Sequence, residues 1–254
     1  MWTFSFFAKA HQMDTFNFTS SELMEAGSGL VLLLTVITLY GIVHLRHTVK
    51  RFAWYLSAIN AAVMTLSGGV YLHHLWCNRF ALGLPVAKEI FHDRSNFSVL
   101  VCLWFGVVNI FDLGIGFVYY PAYQGILTSW IHHLGYIHIS YVCITGNGGF
   151  YAVTPYANAL LLAAMEEFPT FLLALGSMYG SLRTDAGFGI SFFLLRIVFH
   201  GYLCIVSILA PVEFPLLVVS VLSMSMHVYW FYTWVGKYGF KKVTNKLELH
   251  AMCH

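Results

Sequence analysis

Trp130-Ile131-His132-His133-Leu134-Gly135-Tyr136-Ile137-His138-Ile139-Ser140-Tyr141 sets three histidines inside an apolar run that extends over 126–145. About 20 such residues are enough to cross a bilayer as a helix. Ionisable groups are costly there, and they mark functional sites by default. A helix turns 100° per residue, so His132, Tyr136 and Ser140 recur at i, i+4 and i+8 on one face, with His133 and Ile137 alongside. A single histidine in such a place reads equally well as a group satisfied by nearby carbonyls. An adjacent pair with a third on the same helix points to function.

The rest of the chain supports a membrane setting. Of its 254 residues 59% are hydrophobic, 17% aromatic and only 9% charged, against about 25% charged in a soluble domain. Seven apolar segments can be drawn, at about 26–45, 52–76, 97–120, 126–145, 155–179, 188–209 and 214–235. Their unbroken apolar character, without strict alternation, argues for helices. The expected fold is an all-α integral membrane protein of about seven transmembrane helices. A net charge of +2 gives no reason to expect a nucleic-acid partner. The five cysteines form no C-x-x-C pair, so no disulfide framework or zinc site is expected. The first 18 residues lack the continuous apolar core of a signal peptide.

Lys and Arg in the flanks argue for an orientation. With the N-terminus luminal, Arg46, Lys50, Arg51, Arg183, Lys237, Lys241, Lys242 and Lys246 lie on the cytosolic side. Only Lys9, Arg79, Lys88 and Arg94 lie opposite, which follows the positive-inside rule. Two sequons, Asn17-Phe18-Thr19 and Asn96-Phe97-Ser98, fall on that luminal side.

Other polar residues inside the segments need partners: Asn109, Asp112, Glu166, Glu167, Arg196, His200 and His227. The cheapest arrangement turns them all into one polar cavity, where a carboxylate and Arg196 compensate each other. Thr170 lies one turn beyond Glu166, and Pro169 should kink that helix. His227 reads as an interfacial or core histidine, and Tyr229-Trp230-Phe231-Tyr232 as a lipid-interface anchor.

Taken in order, these residues resemble the TLC family, the TRAM, Lag and CLN homology proteins. The resemblance covers about 50–237. The His132–His133 pair resembles the family's paired histidines, and Asp112 its aspartate one helix earlier. Met165-Glu166-Glu167-Phe168-Pro169-Thr170-Phe171 resembles its Glu-x-Ser-Thr-Pro-Phe segment, with the proline one place early. Arg196 to Tyr202 is similar to its Arg-to-Tyr motif, and Val228 to Phe231 to its closing aromatic segment. The resemblance implies six helices in a TLC-type bundle around a lipid-sized cavity, with one further helix outside. The division is then a luminal or interfacial 1–25, an extra helix at 26–46, a TLC domain at 47–237 and a cytosolic tail at 238–254. The endoplasmic reticulum or another endomembrane is the implied location.

In the ceramide-synthase branch the paired histidines and two downstream aspartates surround an acyl group passing from acyl-CoA to a sphingoid amine. Here Glu167 and Thr170 stand at the two aspartate positions, so one carboxylate is missing. Ser140 is the counterpart of the family's serine after the histidine pair. The closer likeness is to the small TLC-domain proteins, whose roles are mixed.

Two functions stay open. The first is an acyl-CoA-dependent lipid N-acyltransferase. His132 or His133 would act as nucleophile or base, oriented by Asp112, Glu166 or Glu167. Tyr136, Ser140, Thr170, Arg196 and His200 would line the substrate cavity. Acyl-CoA would be the co-substrate, with no bound cofactor. The second is a non-catalytic lipid-binding protein, or an accessory subunit of a larger membrane complex. Adjacent histidines point about 100° apart and chelate one ion poorly, so no metal site is expected.

Overall fold

The computed structural model describes residues 16–78, 90–91, 93–145, 156–209 and 214–239. Lys9, Arg79, Lys88, Lys241, Lys242 and Lys246 lie outside these residues, as does most of the expected tail. Every regular element described is helical. In chain order they are α1 (Ser20–Leu45), α2 (Val49–Asn78), α3 (Asn96–Tyr119), α4 (His132–Thr145), α5 (Ala157–Ala163), α6 (Phe168–Met178), α7 (Asp185–Phe192), α8 (His200–Leu209) and α9 (Phe214–Trp234).

Five helical units are long and apolar enough to cross a membrane: α1, Val49–Cys77, α3, Ala157–Met178 and Asp185–Leu209. The other two expected segments are helical too, but neither belongs to that set. α3 is the most buried of the five, 61% against 22% for α1. A helix with so little covered surface is peripheral, while α3 is the axis of the bundle. α3 packs against α1, α2, α4 and α5, and α2 against α6.

Three of the expected continuous helices are interrupted, and each interruption adjoins the polar residues. A π-helical stretch, Ile126–Ile131, leads into α4. A 3₁₀ turn, Ala164–Glu167, separates α5 from α6. A second π-helical stretch, Phe193–Phe199, separates α7 from α8. Pro169 accounts for the middle one. Proline has no N–H and is accepted in a first helical turn, and Pro169 occupies that turn of α6. Irregular turns of this kind recur at functional sites.

Two glycines permit the close approaches. A Cβ on Gly68 would lie 2.8 Å from the backbone nitrogen of Met165, so the 3₁₀ turn rests on bare α2 backbone. A Cβ on Gly106 would lie 3.0 Å from Ser140 Cβ, which brings α4 against α3. Small residues serve this purpose in membrane helices.

The sequon at Asn96 is enclosed in the fold. Asn96 and Ser98 are fully buried, and the Asn96 amide donates to Asn17 Oδ1 at 2.7 Å.

Candidate functional site

The polar residues assemble into two clusters rather than one. The first joins the C-terminal half of α3 to the start of α4. Asp112 faces His133, with Oδ2 3.1 Å from Nε2. Its other oxygen accepts from the Tyr120 hydroxyl at 2.6 Å. His133 Nδ1 lies 2.6 Å from the Ser129 carbonyl, supplied by the π-helical stretch. Both ring nitrogens of His133 are therefore engaged.

His132 is in the opposite condition. It makes no hydrogen bond among the described residues. Its ring stands edge-on to Tyr136 at 4.5 Å, to His133 at 5.7 Å and to Trp230 at 6.4 Å between centroids. An aromatic wall fixes the ring and leaves a nitrogen lone pair open to the cavity. The expected carboxylate thus falls to His133, while His132 keeps its lone pair.

The second cluster surrounds Arg196, which is 7% exposed. Its Nε donates to the Glu166 carbonyl at 2.9 Å. Its Nη2 donates to Thr170 Oγ1 at 2.7 Å and lies 3.4 Å from Glu167 Oε1. The Glu166 carboxylate is directed elsewhere: Oε1 lies 2.7 Å from His200 Nδ1, and Oε2 lies 3.8 Å from His227 Nδ1. The expected compensation of Arg196 by a carboxylate is realised through Glu167. Thr170 accepts another guanidinium proton.

Two cavities adjoin the clusters. One, of about 510 Å³, is largely apolar, with Met64, Phe91, Leu160 and Leu203 in its wall together with Glu166 and His200. The other, of about 440 Å³, is lined by Asn60, Asn109, Asp112, Gln124, His132, His133, Thr170 and Trp230. Phe105, Tyr136, Glu167 and Arg196 line both, so the two chambers meet at those four side chains. The single polar cavity expected from the sequence is corrected to a polar chamber and an apolar one.

Ser140 is a second correction. It lines neither chamber. It is buried against Gly106, and its Oγ has no hydrogen-bond partner among the described residues. Eight residues advance a helix about 80° past two full turns, which carries Ser140 off the His132–Tyr136 line and onto α3. His227 is 3% exposed, which selects the core position of the two expected for it, beside Glu166 and His200. One contributor was given another role by the sequence reading. Trp230 closes the polar chamber over His132, while its neighbours Tyr229 and Tyr232 stay exposed. The three-residue interval from His227 to Trp230 was the available signal, since residues that far apart share a helix face.

No known family, curated protein or solved structure matches the chain. The site is therefore read from its own geometry.

Proposed function

We propose that this protein is a membrane lipid-handling enzyme of TLC type, an acyl-CoA-dependent N-acyltransferase in which His132 carries the acyl group. The observation behind this reading is the asymmetry of the pair. His133 has both nitrogens engaged, and His132 has its nitrogens free at the wall of a chamber. The proposed substrate is divided by polarity across Phe105, Tyr136, Glu167 and Arg196: acyl tail among Met64, Phe91, Leu160 and Leu203, thioester in the polar chamber.

In the proposed reaction the neutral His132 ring attacks the thioester carbonyl carbon, and the C–S bond breaks. The CoA thiolate leaves and takes up the ring proton, and a neutral acyl-imidazole remains. A lipid amine then attacks the same carbon and forms an amide. The proton that the amine releases returns to His132 as the C–N bond to the ring breaks. Asp112, itself held by Tyr120, and the Ser129 carbonyl hold His133, which is a positioning residue beside the nucleophile. Proton transfer by a positioned side chain contributes about 10² to 10⁴-fold in rate.

The setting proposed with it is a seven-span protein of the endoplasmic reticulum or a related endomembrane, N-terminus luminal and C-terminus cytosolic. Arg46, Lys50, Arg51, Arg183 and Lys237 then lie on the cytosolic side with the polar chamber, where acyl-CoA enters. A second reading, a non-catalytic lipid carrier or accessory subunit, has its own observation. Glu166 and Glu167 are turned to His200, His227 and Arg196, so no carboxylate reaches His132.

The test is acyl transfer from long-chain acyl-CoA to a sphingoid amine by the purified chain. His132→Ala should abolish it. Equal activity in wild type, His132→Ala and His133→Ala would end the enzymatic reading.

A further inference from the structure

The acyl-transfer reading gives no role to three buried groups: Glu166, His200 and His227. They come from the 3₁₀ turn, the start of α8 and the middle of α9. Each is under a tenth exposed. One ligand atom from each lies within 4.8 Å of the other two.

We propose that Glu166, His200 and His227 form a binding site for a divalent metal ion of the zinc class, with a water completing its coordination. Two imidazoles and one carboxylate are a donor set that zinc takes when it keeps a fourth position open. Bonds of about 2.0–2.1 Å in a tetrahedron place ligand atoms about 3.3 Å apart. Glu166 Oε1 lies 2.7 Å from His200 Nδ1, closer than two ligands of one ion stand, and its other oxygen lies 3.8 Å from His227 Nδ1, so binding would turn the carboxylate slightly.

The surroundings are those of ligands held ready. His200 Nε2 lies 3.0 Å from the Ser220 carbonyl, an acceptor that fixes the ring with Nδ1 turned to Glu166. A backbone acceptor such as Ser220 commonly orients a metal-bound histidine. The Arg196 carbonyl lies 3.2 Å from His227 Nδ1, the nitrogen that also faces Glu166, and would give up that contact to a bound ion. Arg196 spends its donors on the Glu166 carbonyl, Thr170 and Glu167, which leaves the Glu166 carboxylate divided between the two imidazoles.

The charge balance is compatible with a bound cation. Glu166 is buried and the Glu167 side chain is 12% exposed, and with both ionised Arg196 leaves one negative charge in excess. Buried charge must be compensated. A divalent ion supplies the missing unit once its bound water has given up a proton. So does a single proton held between Glu166 and His200, and that is the competing arrangement. Glu166 and His200 line the apolar chamber, so a metal-bound water would face it.

The experiment uses the full chain, purified without a histidine tag, treated with chelator, then incubated with zinc chloride and desalted. Metal content is read by mass spectrometry, and the ligands by X-ray absorption at the zinc edge of the wild-type protein. The expected result is one zinc per chain with two imidazoles and one carboxylate. Occupancy should fall at least about tenfold in Glu166→Gln and His227→Ala, and stay unchanged in the His132→Ala, His133→Ala double variant. Wild type holding no zinc, zinc lost with the His132–His133 pair, or an absorption spectrum without this ligand set would each overturn the proposal. The spectrum needs no variant to fold, and zinc binding is read whether or not acyl transfer is found.

Discussion

Asp112→Asn keeps the size of the side chain and removes its charge. The Tyr120 bond at Oδ1 can survive, but His133 loses its anionic partner at Oδ2. Acyl transfer should fall about 10²-fold, at the low end of acid–base effects. The same loss with acyl-CoA binding unchanged would mark His133 as a positioning group. Arg196 carries a different expectation. Its guanidinium holds the Glu166 carbonyl, Glu167 and Thr170 together. Arg196→Met leaves Glu167 buried without a counter-charge, which costs about 3–5 kcal/mol. Thermal unfolding in detergent should drop accordingly, and an unchanged midpoint would mean that Glu167 finds another partner.

Between α2 and the 3₁₀ turn the margin is a single glycine. Gly68→Val would press on the Met165 nitrogen and the Leu161 carbonyl, both backbone. The turn that aims Glu166 and Glu167 must then move. The variant should lose stability and, with it, the Arg196–Glu167 contact. A variant as stable as wild type would show that the break tolerates displacement. The break itself was readable in the sequence because Pro169 has a fixed φ and no N–H. The two π-helical stretches were not readable, since Ile126–Ile131 and Phe193–Phe199 contain no proline or glycine. Their effect is a shift in register. One aims the Ser129 carbonyl at His133, and the other leads into His200. The same limit misplaced Ser140, because helical periodicity gives a face but not which neighbour the face meets.

Across the bundle, the ends of six of the seven apolar segments lie within about three residues of those of the helical stretches, while α1 begins at Ser20, six residues before the expected start. Apolar run length sets them, and burial does not enter. The division into two chambers was not legible. It depends on how α3, α4, α8 and α9 rotate against each other, and a hydropathy pattern leaves that undetermined. Orientation offers a separate prediction. Cys77 is exposed near the end of α2, while Cys102, Cys143 and Cys204 are buried. With the N-terminus luminal, that end of α2 is luminal. In sealed microsomes carrying Cys253→Ser, a membrane-impermeant maleimide should label Cys77 only after the membrane is opened. Labelling of intact vesicles would invert the proposed topology, and with it the entry of acyl-CoA from the cytosol.

The first experiment to run on the complete system is mass spectrometry of the chain after incubation with acyl-CoA in the absence of amine, intact and after proteolysis. The account predicts an acyl mass increment on the peptide containing His132. It should be missing in His132→Ala and discharged when a sphingoid amine is added. Lipid bound without any covalent increment would contradict it and make the protein a carrier or accessory subunit.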